Sequence, residues 1–161
     1  MTKEETFTRI IKQNEGVIYK ITRLYTRNEE DQKDLYQEIV FQLWKAFDGF
    51  RHDAKISTWM YRIALNTALF HLKKDKRSGH SVSLDTVVLK QKEYDPLLDE
   101  RLNVLYDSIR NLEDLDKAIV FLFLEEKKYE EIAVITGITT SNVSTRMARI
   151  KEKLKTQIIK K

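Results

Sequence analysis

The stretch Tyr129–Leu154, YEEIAVITGITTSNVSTRMARIKEKL, decides the fold. It reads as two short helices joined by a tight turn. Tyr129 to Thr136 forms the first, and Gly137 ends it, because glycine enters the left-handed region without steric cost. Ile138 turns back into the joint, and the second helix starts near Thr139 or Thr140. Val143, Met147, Ile150 and Leu154 recur at helical spacing and define its buried face. Ala133, four residues before Gly137, is small enough to let two helices cross closely. This is the layout of a helix-turn-helix, whose second helix enters the major groove of DNA. The side opposite Val143 and Met147 carries Thr145, Ala148, Arg149 and Glu152, with Ser144 and Arg146 at its flanks. Short polar residues and arginines suit base edges and phosphates. The same pattern also fits an ordinary antiparallel helix pair with a solvated face.

Two more helices lie immediately upstream. Leu98, Leu102, Leu105 and Ile109 share one face of a helix over 97–110. Ala118 to Leu124 is the apolar centre of another over 114–127. With the helix-turn-helix they make a four-helix C-terminal domain, 97–161. The segment before it, SGHSVSLDTVVLKQKEYDP (78–96), has a Ser/Gly cluster, the only proline and no sustained period. It reads as a linker with one short ordered piece at Val87-Val88-Leu89.

The N-terminal part, 1–77, reads as three helices. Phe7, Ile10, Ile11, Val17, Ile18, Ile21 and Leu24 stripe the first, over 4–27, with Gly16 as a blemish. Asn28-Glu29-Glu30-Asp31 caps the second, over 31–50, whose core stripe is Leu35, Ile39, Leu43, Ala46 and Phe47. Asp31, Asp34 and Glu38 share another of its faces with Gln37 beside them. By itself that is a solvated face with acids favoured at a helix N-terminus. A polar loop, Phe50-Arg51-His52-Asp53-Ala54-Lys55, leads to the third helix, capped by Ser57 or Thr58. Apolar residues cover more than half its circumference. Arg62, Asn66, Lys73 and Arg77 lie within about 60° of one another on the remaining stripe, with Leu69 among them. Trp59 and Tyr61 stand at its start. Aromatic, amide and basic groups together suit single-stranded nucleic acid, but Trp59 and Tyr61 fit a hydrophobic core equally well.

The bulk numbers agree with an all-α protein of two small helical domains joined by a linker. Its 161 residues are 34% charged and 42% hydrophobic, with four glycines and one proline, which leaves little room for a many-turned β fold. A net charge of +4 and a pI near 9.1 favour a nucleic-acid partner. Without cysteine there is no disulfide or thiolate metal site, and a reducing cytoplasm is compatible. MTKEETFTRI lacks the apolar centre of a signal peptide, and the longest apolar run, 118–124, is too short to cross a membrane. His52, His71 and His80 have no metal-ligand spacing, and no phosphate-cradling loop or nucleophile elbow is present. No cofactor, metal or catalytic residue is expected.

The order of these parts resembles the extracytoplasmic-function group of bacterial RNA polymerase sigma factors, within the sigma-70 family. The resemblance rests on Asp34-Leu35-Tyr36-Gln37-Glu38-Ile39-Val40-Phe41 with Leu43-Trp44, and on Phe50-Arg51 followed by Ser57 through Asn66. Its last block is Tyr129-Glu130-Glu131-Ile132-Ala133, Val143, Arg146-Met147 and Arg149. It implies that Asp31, Asp34, Gln37 and Glu38 grip core RNA polymerase, which replaces the solvated-face reading. It further implies that Arg51, His52, Asp53, Lys55, Trp59, Arg62, Asn66 and Lys73 bind the −10 element, including an extruded base. Ser144, Thr145, Arg146 and Arg149 would read the −35 element. Short members of the group are usually held by an anti-sigma factor, so one is expected here. Ser144, His52-Asp53 and the absence of proline before the helix near Glu113 depart from the usual pattern and bear on which promoter is read. A DNA-binding regulator that never joins polymerase explains residues 97–161 equally well, but not the acidic-Gln face or the Trp59/Arg62/Asn66 set. A protein-binding adaptor fits poorly with a basic pI and a well-formed recognition helix.

Overall fold

The computed structural model describes residues 2–50, 55–78 and 96–159. Among them every regular element is helical. The chain divides into two compact units, Met1–Leu89 and Lys90–Lys161. The expected short piece at 87–89 and nearly all of the expected linker lie outside the described residues.

In the first unit, α1 (Lys3–Tyr25), α2 (Glu29–Ala46) and α3 (Ile56–Ser78) pack on one another, with a 3-10 turn, Phe47–Gly49, closing α2. Local chemistry sets the ends. The Thr2 hydroxyl accepts from the Glu5 N–H at 3.1 Å and caps α1, satisfying one orphan donor of the first turn. Asn28 caps α2 in the same way, accepting from the Asp31 N–H at 2.8 Å. The third helix starts before the expected Ser57/Thr58 cap: the Trp59 N–H already bonds to the Lys55 carbonyl. Phe7, Ile18, Ile21 and Leu24 of α1 meet Leu35, Ile39 and Leu43 of α2 and Met60, Ala64, Leu65 and Ala68 of α3 in the core. Burying such side chains contributes roughly 1.5–3 kcal/mol each before entropy is counted. Ile10, Ile11 and Val17 are only half-buried. Thr22 is fully buried instead, because its hydroxyl donates back to the Tyr19 carbonyl at 2.7 Å and leaves no unsatisfied polar group.

Gly16 lies exposed in the middle of α1, and a Cβ added there meets nothing within 4 Å. Gly16→Ala is therefore expected to stabilise the protein by about 0.5–1 kcal/mol, through lower entropy of the unfolded chain. Urea titration followed by circular dichroism measures it. An unchanged or lower midpoint would show that α1 needs the glycine.

The second unit holds α4 (Pro96–Arg110), α5 (Asp114–Leu124), α6 (Tyr129–Thr136) and α7 (Thr140–Ile159). Pro96 opens α4, where its missing N–H costs nothing. The fifth helix stops three residues short of the expected Lys127, with Glu126 in the left-handed region at φ 66°. Gly137 ends α6 at φ 79°, and its N–H bonds to the Ala133 carbonyl at 2.8 Å. Thr139 caps α7 by accepting from the Asn142 N–H. Val143, Met147 and Ile150 are buried against Ala118, Ile119, Val120 and Leu122 of α5 and Ile132 and Ile135 of α6, with Ile109 of α4 completing the core.

Candidate nucleic-acid and polymerase interface

The helix-turn-helix presents its second helix as the spacing requires. With Val143, Met147 and Ile150 facing inward, Ser144, Thr145, Ala148 and Arg149 are exposed on the outer side of α7. Thr145 donates to the Ser141 carbonyl at 3.1 Å, a local bond that leaves its oxygen outward. Arg146 behaves differently. Its guanidinium reaches across to α5, where Nη1 lies 2.9 Å from Asp116 Oδ1, while Nε donates to Asn142 Oδ1 at 3.2 Å. Asp116 is buried and Arg146 half-buried. Arg146 thus ties α7 to α5, and Ser144, Thr145 and Arg149 are exposed on α7. Nothing in the sequence spacing marks this pair, because its partners lie 30 residues apart.

Asp116→Ala removes the anchor and leaves a half-buried guanidinium facing a buried void. It is expected to destabilise the protein by about 1–3 kcal/mol, less than a fully buried pair because Arg146 still reaches solvent. Denaturant titration of the full chain tests this. A loss under about 0.3 kcal/mol, the scale of a surface pair, would assign the bridge no structural weight.

On α2, Asp34 and Gln37 are exposed and Glu38 is half-buried. They lie at i, i+3 and i+4, so they share one face. Glu38 accepts from Gln42 Nε2 at 3.1 Å. Asp31, one turn earlier, is engaged with the cap: Asn28 Nδ2 donates to its carboxylate at 3.0 Å. The Tyr36 phenol is held above its ordinary value first by burial and then by the charge of Glu15.

On α3, Arg62 and Asn66 are exposed one turn apart, and Lys55 is exposed just before the helix. Tyr61 is buried and belongs to the core. Trp59 is half-buried, with ring centroids 5.0 Å from Phe50 and 6.2 Å from Phe47. Phe47 in turn packs edge-on to Phe7 at 5.3 Å, and Phe7 to Trp44 at 5.1 Å. A continuous run of rings thus supports Trp59 from behind. Arg51, His52 and Asp53 lie outside the described residues, as does the side chain of Lys73. Among the described residues, no group of histidine and carboxylate side chains is arranged to hold a metal ion, and no helix is long and apolar enough to cross a membrane.

Comparison with known proteins matches the Sigma-70 region 2 family over residues 10–78 and the family described as Sigma-70, region 4 over residues 102–154. The chain is 30% identical over 151 residues to the ECF RNA polymerase sigma-E factor of Haemophilus influenzae, covering 86% of this chain and 79% of that one. It is 30% identical over 155 residues to the ECF RNA polymerase sigma-E factor of Escherichia coli, covering 87% and 81%. It is 29% identical over 143 residues to RNA polymerase sigma factor SigV of Bacillus subtilis, covering 88% and 84%. Among solved structures, the fold is shared with sigma factor RpoE from Bartonella quintana, crystallised with the anti-sigma factor NepR. The TM-score is 0.79 at 17% identity, over 96% of this chain and 97% of that one. It is also shared with CnrH, in complex with the cytosolic domain of CnrY, at TM-score 0.71 and 17% identity over 97% and 89%.

Proposed function

Because this chain belongs to the extracytoplasmic-function group of the sigma-70 family, we propose a division of labour between its two units. Sigma factors are not enzymes; they bind core RNA polymerase and promoter DNA and direct the polymerase to promoters. In this chain, Asp34, Gln37 and Glu38 hold core polymerase, with Asp31 at the capped end of the same face. Residues 51–55 with Trp59, Arg62, Asn66 and Lys73 engage the −10 element and an extruded base. Ser144, Thr145 and Arg149 read the −35 element in the duplex, with Arg146 setting the pitch of their helix. Residues 1–77 and 97–161 are then separate binding domains, with 78–96 as the linker.

The observation that carries this reading is the outward edge of α7, where Thr145 and Arg149 are exposed across from a fully buried stripe and Ser144 is exposed at its flank. A pocket for an extruded base offsets an unstacking cost of a few kcal/mol, and basic groups hold the exposed strand by its phosphates. An anti-sigma factor restrains the protein in the cytoplasm. The support is that both structural neighbours were solved in complex with partner proteins, NepR named as an anti-sigma factor.

Transcription from a defined promoter by core polymerase, with and without the chain, is the test. Specific transcripts are expected only with both present. Tight duplex binding by the chain alone, without transcripts, would make it an ordinary DNA-binding regulator.

A further inference from the structure

Asp116 is the one charged residue buried among the described residues, 7% exposed. It sits in α5, before the helix-turn-helix, yet its partner is Arg146 of α7, at 2.9 Å. Stability alone does not call for such a pair, since apolar residues of similar volume often replace a buried ion pair without loss. The geometry at Arg146 is specific. Nη1 meets Asp116, and Nε meets Asn142 one turn back on α7, so two tethers fix the plane of the guanidinium. Among the described residues Nη2 donates to nothing, and the Arg146 side chain keeps 29% of its surface exposed. A planar fork held at two corners leaves its third corner aimed in a fixed direction.

The position on α7 selects the ligand. At 3.6 residues per turn Arg146 lies about 60° from Arg149 and about 70° from the middle of the Val143/Met147/Ile150 stripe. Thr145 lies nearly opposite that stripe. When such a helix enters a major groove, its outer face meets base edges and its flanks meet the phosphate walls. A guanidinium tethered to α5 stays at the flank. A bare carboxylate there would repel a phosphate, but Asp116 is withdrawn from water and neutralised by Arg146.

We infer that Asp116 is a positioning residue for −35 binding: with Asn142 it aims the Nη2 edge of Arg146 at a backbone phosphate beside the groove. The contact adds affinity and fixes register without reading a base. The inference deepens the proposed −35 site and rests on that reading.

The test measures promoter binding by the full chain with core polymerase over a range of salt concentrations. Templates carry the −35 element intact or changed at single bases. Asp116→Leu, Arg146→Met and the two together are compared, because the paired replacement refills the site without leaving a buried charge. Asp116→Leu is expected to weaken binding about tenfold, the scale of one charge-assisted hydrogen bond. In the Arg146→Met background the same change should add no more than about twofold. Arg146→Met and the double variant should lower the slope of log K against log salt by about one and leave the ranking of the templates unchanged. Circular dichroism at the assay temperature checks the fold of each variant.

A folded double variant with the parent affinity and salt slope would make the pair purely structural and overturn the inference. So would tighter binding by Asp116→Leu, which would mean that the carboxylate restrains Arg146 instead of aiming it. An equal loss from Asp116→Leu with and without Arg146 would show that Asp116 acts by another route. Arg149→Ala separates the two levels of the argument. If it weakens −35 binding while the Asp116 and Arg146 variants do not, the inference fails and the proposed reading by α7 stands. If none of these variants changes −35 binding, that reading fails as well.

Discussion

Reversing two charges on α2, Asp34→Lys with Glu38→Lys, is expected to abolish capture of core polymerase while leaving the helical circular dichroism nearly unchanged. The two halves of this result have separate causes. Asp34 is exposed and Glu38 half-buried, and Glu38 accepts a hydrogen bond from Gln42 on the same helix. Surface changes of this kind usually shift stability by no more than about 0.5 kcal/mol. The core stripe Leu35, Ile39 and Leu43 faces the other way and is fully buried, so folding is untouched. A basic partner surface, however, would meet two like charges in place of two attractions. Like-charge juxtaposition at an interface costs several kcal/mol, enough to turn micromolar or tighter binding into none detectable. Pull-down of core enzyme measures it. Capture by the double variant at parental affinity would return Asp34 and Glu38 to a merely solvated face.

Asn66→Ala and Arg149→Ala should fail in different ways. Asn66 is exposed on α3, one turn from Arg62, and is proposed to hold an extruded base. Its loss is expected to suppress open-complex formation, seen as lost permanganate reactivity of −10 thymines. A template with a pre-opened bubble should recover part of the activity, because unpairing no longer has to be driven by the protein. Arg149 is exposed on the outer edge of α7. Arg149→Ala should weaken promoter binding by roughly 1–3 kcal/mol if the guanidinium pairs with a base, and less if it meets only a phosphate. A bubble cannot restore selectivity at the −35 element. Identical responses of both variants to the bubble would overturn the division of labour between the two units.

Most of the architecture was legible because periodicity reports burial directly. Val143, Met147 and Ile150, and likewise Leu35, Ile39 and Leu43, are buried as their spacing indicated. Gly137 was legible for a backbone reason, its left-handed φ. Three features were not. Thr22 is buried though polar, since its hydroxyl is satisfied within its own helix. The fifth helix ends at Leu124, before the polar residues that would have prolonged it, through a left-handed turn at Glu126 that no glycine announces. Arg146 carries the residue type of a DNA contact and also pairs with Asp116, a pairing set by how α5 meets α7. The site shows the same division. Exposure of Ser144, Thr145, Arg149, Asp34 and Asn66 follows from helical geometry. The sequence left Trp59 and Tyr61 open, and only packing separates them: Tyr61 is in the core, while Trp59 leans on Phe47 and Phe50 at its edge.

The run of rings through Trp44, Phe7, Phe47, Trp59 and Phe50 holds both tryptophans of the chain, and both fall in the unit Met1–Leu89. Tryptophan emission excited at the red edge of the absorption band therefore monitors that unit alone. A fluorescence melt is blind to the helix-turn-helix, whose unit offers only tyrosines such as Tyr106 and Tyr129. Circular dichroism weighs both. Superimposable curves from the two probes would mean that the halves melt together, and separated curves that each has its own transition. The protein carries both of its tryptophan labels in one unit and none in the other.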